Sequence, residues 1–162
     1  MPATNVLIVC TGNSARSILG EALINAQPGF KGYSAGSTPK GQPHPMALRV
    51  LKDKGHDVSG FSSKSWADFS GADAEAMDII ITVCDSAASE TCPVWPGHPV
   101  QVHWSLPDPA YIEDEDACRA AFEAVYKKLS KAVHALSALD LESLTPVEKQ
   151  KAVQALAPDR TI

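Results

Sequence analysis

One run of eight residues, Cys-Thr-Gly-Asn-Ser-Ala-Arg-Ser at positions 10–17, constrains the fold more than any other part of the chain. The preceding positions 5–9 read Asn-Val-Leu-Ile-Val, and a β-branched apolar run of this kind predicts a buried strand. Apolar residues then recur at helical spacing, which predicts a helix from near Ala15 to just before Pro28. The run is therefore a tight loop that joins a strand to a helix.

The loop has the composition of an anion-binding site. Its backbone N–H groups can converge on one point, where the helix N-terminus adds partial positive charge, and this geometry holds a tetrahedral oxyanion. An ATP-type phosphate loop is excluded because no Gly-Lys-Ser/Thr sequence follows. Gly12 and Asn13 suit the loop because both residue types tolerate positive φ. The predicted oxyanion-binding residues are Thr11, Gly12, Asn13, Ser14, Ala15, Arg16 and Ser17.

Two side chains add chemistry to this loop. The N–H groups and the helix dipole favour a thiolate at Cys10, which predicts that this residue is a nucleophile. Arg16 can place its guanidinium on two oxygens of the anion, and Ser17 can donate its hydroxyl to the thiolate. The alternative is a buried cysteine and an unrelated surface arginine. The position of the pair between a strand and a helix argues against that alternative.

The strand, the Cys-x5-Arg loop and the following helix together resemble the start of the low-molecular-weight tyrosine phosphatase superfamily. This resemblance implies an α/β fold with a parallel sheet. Further strands are predicted at residues 31–36, 77–83 and 99–104, and further helices at 45–54 and 114–139. Strands that alternate with helices favour a flavodoxin-like sheet of order 2-1-3-4, whose ligands bind at the carboxyl edge.

Composition limits the partners and the cellular compartment. The chain has 162 residues, a formal net charge of −5 and four cysteines. The negative charge argues against nucleic acid as a partner, and the lack of a long apolar run or a signal-peptide pattern predicts a cytoplasmic protein without a membrane span. The five histidines lack the spacing of metal ligands, so no metal site is predicted. We expect one catalytic domain and a monomer.

Three further residues lie where the chemistry of Cys10 needs them. Asp108, held between two prolines, can act as a general acid, although an aspartate in such a loop can also be an ordinary turn residue. Cys84 and Cys92 have no part in phosphate ester hydrolysis. They make sense if a covalent adduct on Cys10 is resolved by electrons instead of water. The predicted sheet brings Cys10, Cys84 and Asp108 to the same edge.

The chain is therefore identified as a member of the thioredoxin-coupled arsenate reductases of this superfamily. The resemblance covers residues 4–139 and rests on residues 10–17, on the run from Thr82 to Gly97, and on Pro-Asp-Pro-Ala at 107–110. It implies that Cys10 attacks arsenate, that Arg16 binds the oxyanion and that Asp108 supplies a proton. It implies also that Cys84 and Cys92 resolve the adduct. It implies no bound cofactor, and electrons that come from thioredoxin or from glutathione and glutaredoxin.

Two positions depart from this family pattern. Seven residues separate Cys84 from Cys92, whereas the best-known members have six. Relatives that bind potassium beside the loop use Asn, Glu, Ser and Asp, which Asn13, Glu21 and Ser34 match in part. Lys64 stands where the Asp would be. Its ammonium either replaces the potassium ion as a support of the loop or is an ordinary solvated charge.

The remaining residues and the competing functions complete the prediction. We assign residues 1–140 to the catalytic domain and 141–162 to a C-terminal extension of unknown role. Thr145-Pro-Val-Glu148 forms a capping box that predicts a last helix, which either packs on the domain or extends from it. The first alternative function is a tyrosine phosphatase. The second is a non-catalytic thiol sensor that binds arsenite or zinc.

Overall fold

Four parallel strands form the sheet. The computed structural model describes residues 3–70, 74–84, 95 and 99–158. The strands are β1 (Thr4–Cys10), β2 (Phe30–Gly36), β3 (Ile79–Thr82) and β4 (Val100–His103). Their order, β2-β1-β3-β4, confirms the predicted sheet. β3 and β4 are shorter than the predicted stretches because only four residue pairs join them in the ladder.

Four helices connect or cover these strands. They are α1 (Arg16–Asn25), α2 (Pro45–Asp53), α3 (Glu115–Ser137) and α4 (Pro146–Gln154), with short 3₁₀ turns at Trp66–Phe69 and Leu141–Ser143. α1 packs on β1 and β2, and α3 packs on α1 and α2. The apolar stripe of α3 is buried as the spacing predicted, from Phe122 to Leu136. In the described part of the chain, no helix has the length and apolar character needed to cross a membrane.

The register of the sheet brings the candidate residues together. β1 ends at Cys10, which pairs with Gly36 at the end of β2. On its other side β1 pairs with β3, whose last residue Thr82 lies two positions before Cys84. The carboxyl ends of these strands therefore meet at one edge, as the sequence predicted.

The last helix packs against the edge strand of the sheet. The side-chain amide of Gln154 accepts from the His103 N–H at 2.9 Å and donates to the His103 carbonyl at 2.7 Å. The indole of Trp104 donates to the carbonyl of Val153 at 3.0 Å. Of the two outcomes left open by the sequence, the structure has α4 packed on the domain, held by a capping box at Thr145. The assignment of residue 140 as a domain boundary stays a prediction.

Candidate active site

The loop between β1 and α1 is held in shape by the segment that follows β2. Thr38 donates its N–H to the Thr11 carbonyl, and Lys40 donates to the Gly12 carbonyl, each at 2.9 Å. Gly36 makes the closest approach of the two segments. A Cβ at Gly36 would collide with the Thr11 carbonyl oxygen and lie 2.9 Å from the Asn13 nitrogen. Only glycine lets the loop sit this close to the end of β2.

Asn13 and Gly12 serve the loop in different ways. Asn13 has φ = 45°, the left-handed conformation that the sequence predicted. The prediction of positive φ for Gly12 was wrong, because among the described glycines only Gly29, Gly41 and Gly55 have it. Gly12 provides space instead. A Cβ on this residue would lie 3.2 Å from the Cγ and Cε atoms of Lys40, whose aliphatic stem runs over the loop.

A chain of hydrogen bonds leads to the sulfur of Cys10, and its first bond determines which atom donates in each of the next ones. The Lys64 N–H donates to Asn13 Oδ1 at 2.7 Å, so the amide nitrogen of Asn13 faces Ser17 and donates to its Oγ at 2.8 Å. The Ser17 hydroxyl therefore has its own proton available for Cys10 Sγ, 3.0 Å away. The Asn13 N–H adds a second donor to this sulfur at 3.2 Å. Both donors favour the thiolate of Cys10.

Arg16 is held by two contacts and has one further donor that is buried. Its Nη1 donates to the Leu106 carbonyl at 3.0 Å, and its Nη2 lies 3.4 Å from Asp108 Oδ2. The Nε is buried and has no partner among the described residues. The N-terminus of α1 likewise has no side-chain cap at Ala15. A bound oxyanion would satisfy this helix N-terminus, because it accepts hydrogen bonds and favours the positive end of the helix.

These groups line a cavity of about 450 Å³. The residues around it are Cys10, Thr11, Gly12, Ser14, Ala15, Arg16, Thr38, Pro39, Lys40, Asp108 and Ala110. A tetrahedral oxyanion is much smaller than this volume, so the cavity also admits attacking and leaving groups. The cavity therefore joins the predicted nucleophile, the predicted oxyanion binder and the predicted acid.

Asp108 is placed by its own turn and by α3. Its Oδ1 accepts from the Ala110 N–H at 2.9 Å, while the side chain remains 39% exposed. The neighbouring Pro109 carbonyl accepts from the thiol of Cys118 at 3.6 Å. Cys118 is buried in the core, as predicted, and burial raises the pKa of its thiol. A buried neutral thiol of this kind supports the acid loop and is unsuited to nucleophilic attack.

Cys84 lies against the loop of Cys10. The Thr11 N–H donates to Cys84 Sγ at 3.2 Å, and the Thr11 hydroxyl lies 3.3 Å from the same sulfur. The Cys84 residue is only 3% exposed. Two of the predicted oxyanion-binding residues, Thr11 and Asn13, thus direct their N–H groups at sulfur atoms in this structure. Cys92, the other predicted resolving cysteine, lies outside the described residues.

The predicted support of the loop forms a small polar cluster behind it. Ser34 Oγ donates to Glu21 Oε1 at 2.5 Å, and Lys64 Nζ lies 3.7 Å from the same oxygen. The ammonium also donates to the Ser62 carbonyl at 2.8 Å. Burial raises the pKa of Glu21, and the Ser34 hydroxyl and the Lys64 charge oppose this shift in part. Lys64 therefore contacts Glu21 through its side chain and Asn13 through its backbone.

Comparison with known proteins decides the family. A family model described as "Low molecular weight phosphotyrosine protein phosphatase" matches residues 5–152. The chain belongs to the low molecular weight phosphotyrosine protein phosphatase family. The matched range contains all the site residues described above, and the predicted membership is confirmed.

The similar members of the family include arsenate reductases. Arsenate reductase of Bacillus subtilis (strain 168) is 33% identical over 120 residues, which cover 72% of this chain and 82% of that protein. Arsenate reductase 1 of Staphylococcus epidermidis is 36% identical over 113 residues, which cover 68% and 81%. The crystal structure of arsenate reductase from Archaeoglobus fulgidus matches with a TM-score of 0.61 at 28% identity, over 80% of this chain and 98% of that chain.

Two features of this family member escaped the sequence analysis. Lys40 lies in an irregular segment rich in Pro and Gly, which gives no periodic signal for the position of a side chain. The contact of Thr11 with Cys84 depends on the pairing of β1 with β3, so no local sequence pattern predicts it. The glycine at position 12 was the one sequence feature connected with Lys40. From the sequence, this glycine was explained by backbone conformation, whereas the structure explains it by the space that the Lys40 side chain occupies.

Proposed function

We propose that this family member reduces arsenate to arsenite, with Cys10 as nucleophile and Cys84 as the thiol that resolves the adduct. The observation that carries the proposal is the placement of Cys84 Sγ against Thr11, the residue that follows Cys10. A phosphatase has no need of a second activated sulfur at this position. The arsenate reductases among its relatives, at 33% and 36% identity, support the same activity.

The first step forms a covalent adduct. Arsenate, a tetrahedral oxyanion, binds to the loop N–H groups and to the guanidinium of Arg16, a residue that lines the cavity. The thiolate of Cys10 attacks arsenic, so a sulfur–arsenic bond forms while an arsenic–oxygen bond breaks. Asp108, which lines the same cavity, gives the departing hydroxyl a proton and water leaves. Arsenic remains As(V) in this adduct.

The second step transfers the electrons. Cys84 attacks the sulfur of Cys10, and the sulfur–arsenic bond breaks with its electron pair left on arsenic. Arsenic is thereby reduced to As(III) and departs as arsenite, while the two thiols are oxidised to a Cys10–Cys84 disulfide. Cys92 then attacks Cys84, which restores the Cys10 thiolate and forms a Cys84–Cys92 disulfide. An external thiol reductant, thioredoxin or glutathione with glutaredoxin, reduces that disulfide in the cytoplasm.

Phosphatase activity is the second candidate, and the shared cavity favours it as a side reaction. Cys10, Arg16 and Asp108 are sufficient to form a phosphocysteine adduct that water hydrolyses. In this reading Cys84 would have no chemical role, although both the N–H and the hydroxyl of Thr11 contact its sulfur. The thiol-sensor reading leaves Arg16 and Asp108 without a role. We therefore expect weak phosphatase activity beside arsenate reduction.

Multiple-turnover reduction of arsenate tests this proposal. The protein is supplied with arsenate and with thioredoxin plus its reductase, or with glutathione plus glutaredoxin, in separate assays. We expect more than one equivalent of arsenite per protein with one of the two systems and none from Cys10→Ser. Release of phosphate from a phosphotyrosine ester without any arsenite would favour the phosphatase. Arsenite binding without turnover would favour the sensor.

A further inference from the structure

We propose that Lys40 is a second anion-binding residue, which captures the oxyanion at the rim of the Cys10 cavity. This inference deepens the proposed function, because it assumes that the cavity receives an oxyanion. Lys40 lines the same cavity as Asp108 and lies on the segment that braces the loop. Lys40 is exposed, so its ammonium is accessible to an anion that arrives from solvent.

The stem of Lys40 has a defined path over the loop. Its backbone N–H is fixed on the Gly12 carbonyl at 2.9 Å. Its Cγ, Cδ and Cε atoms lie 3.2 to 3.3 Å from the point where a Cβ of Gly12 would stand. Glycine at position 12 therefore lets the stem lie directly on the anion loop, and the stem carries the charge toward the cavity mouth.

The charges of the cavity explain why a second cation matters. Arg16 shares its charge with Asp108, whose carboxylate is 3.4 Å away. The thiolate of Cys10 adds another negative charge to the same cavity. In the described residues Lys40 has no carboxylate within ion-pair distance. With Lys40 the four groups sum to zero, and without it they carry a net negative charge that repels an oxyanion.

The whole chain makes this local charge more important. Its formal net charge of −5 repels anions at long range. A cation at the mouth of the cavity raises the local concentration of the anion and holds it until Arg16 binds it. Lys40 thus acts on capture, whereas the chemical step depends on Cys10 and the residues around its sulfur.

Binding of inorganic phosphate, measured by calorimetry, tests the role of Lys40 without any need for arsenate reduction. Lys40→Met keeps the stem over Gly12 and removes the charge, while Lys40→Arg restores the charge. Lys52, an exposed lysine of α2 outside the cavity, supplies the matched control Lys52→Met. We expect Lys40→Met to raise the Kd for phosphate about three- to tenfold at low ionic strength. Lys40→Arg and Lys52→Met should bind like the parent.

Salt and kinetics sharpen this test. The defect of Lys40→Met should shrink toward zero near 1 M salt, where the Debye length is about 3 Å. In arsenate reduction it should raise KM and leave kcat within about twofold, because capture precedes chemistry. Equal phosphate binding by Lys40→Met and the parent, or failure of Lys40→Arg to restore it, would overturn the proposal.

The two proposals fail in different ways. A parent that binds phosphate through Lys40 but releases no arsenite would refute arsenate reduction and keep Lys40 as an anion-binding residue. A parent that reduces arsenate while Lys40→Met retains normal phosphate affinity would refute the role of Lys40 alone. A parent without any affinity for phosphate would contradict both.

Discussion

Thr11 holds the sulfur of Cys84 with its backbone N–H at 3.2 Å, and its hydroxyl lies 3.3 Å from the same atom. These two contacts fix the position of the Cys84 sulfur beside the loop of Cys10. Thr11 is also the residue next to Cys10, so the loop that carries the first nucleophile positions the second one. Any shift of this loop would therefore disturb both sulfurs together.

Replacement of the resolving cysteines should stop the reaction at two different points. Cys84→Ser should form the adduct and release no arsenite, because no thiol lies in position to attack Cys10. Cys92→Ser should release one equivalent and stop with a Cys10–Cys84 disulfide, which mass mapping of peptides identifies. Cys118→Ser is the control and should turn over normally, since its buried thiol donates to the Pro109 carbonyl and is not among the residues that line the cavity. Full turnover by Cys92→Ser would remove Cys92 from the mechanism.

Loss of the Ser17 hydroxyl should make Cys10 less reactive at neutral pH. Ser17→Ala removes a donor 3.0 Å from the sulfur, and hydrogen bonds to charged groups contribute about 1.5 to 3 kcal/mol. The rate of Cys10 alkylation at neutral pH should therefore fall about tenfold or more. Ser37→Ala is the matched control, because the Ser37 hydroxyl has no partner among the described residues. Equal rates of Cys10 alkylation in Ser17→Ala and the parent would contradict this role of Ser17.

Lys64 should make the loop independent of potassium. Its ammonium lies 3.7 Å from Glu21 Oε1 and supplies a permanent positive charge behind Asn13. Melting temperature and activity of the parent should be the same in potassium and sodium at equal ionic strength. Lys64→Asp should introduce stabilisation by potassium, and Lys64→Ala should raise the KM for arsenate. A parent stabilised by potassium alone would show that Lys64 is an ordinary surface charge.

The raised pKa of Glu21 predicts a specific pH dependence of stability. Burial lifts this pKa above its ordinary value of 4.5, so the folded protein binds more protons than the unfolded chain just above that pH. The contribution of Glu21 to stability must therefore fall as pH rises through this window. We expect the free energy of unfolding of the parent, minus that of Glu21→Gln, to decrease from pH 4.5 upward in urea titrations. A difference that grows with pH would mean that the Lys64 charge outweighs burial.

The sequence was sufficient wherever a local pattern determines the structure. The β-branched run before Cys10 predicted β1, and the alternation of strands with helices predicted the order of the sheet. The Cys-x5-Arg spacing predicted which residues face one cavity, because a strand, a tight loop and a helix leave the chain little freedom there. Asn13 was predicted correctly for the same reason, since few residues adopt positive φ.

Contacts between distant segments could not be read in this way. The Lys40 stem reaches Gly12 because of a hydrogen-bonded pairing between two irregular segments, and neither segment has a period. The direction of the Thr11 N–H depends on where Cys84 emerges beyond β3. The packing of the last helix involves the side-chain amide of Gln154 and the indole of Trp104. Each of these is set by tertiary structure.

The amide of Gln154 has a consequence for the solubility of the whole protein. β4 is the outer strand of the sheet, and an unprotected outer strand offers its N–H and C=O groups to other chains. Gln154 occupies both groups of His103 and so imitates one residue of a fifth strand. A chain that ends before Thr145 would keep its entire cavity yet lose this protection and uncover the indole N–H of Trp104. The final helix thus protects the outer strand at His103 from edge-to-edge aggregation, at a place outside the Cys10 cavity.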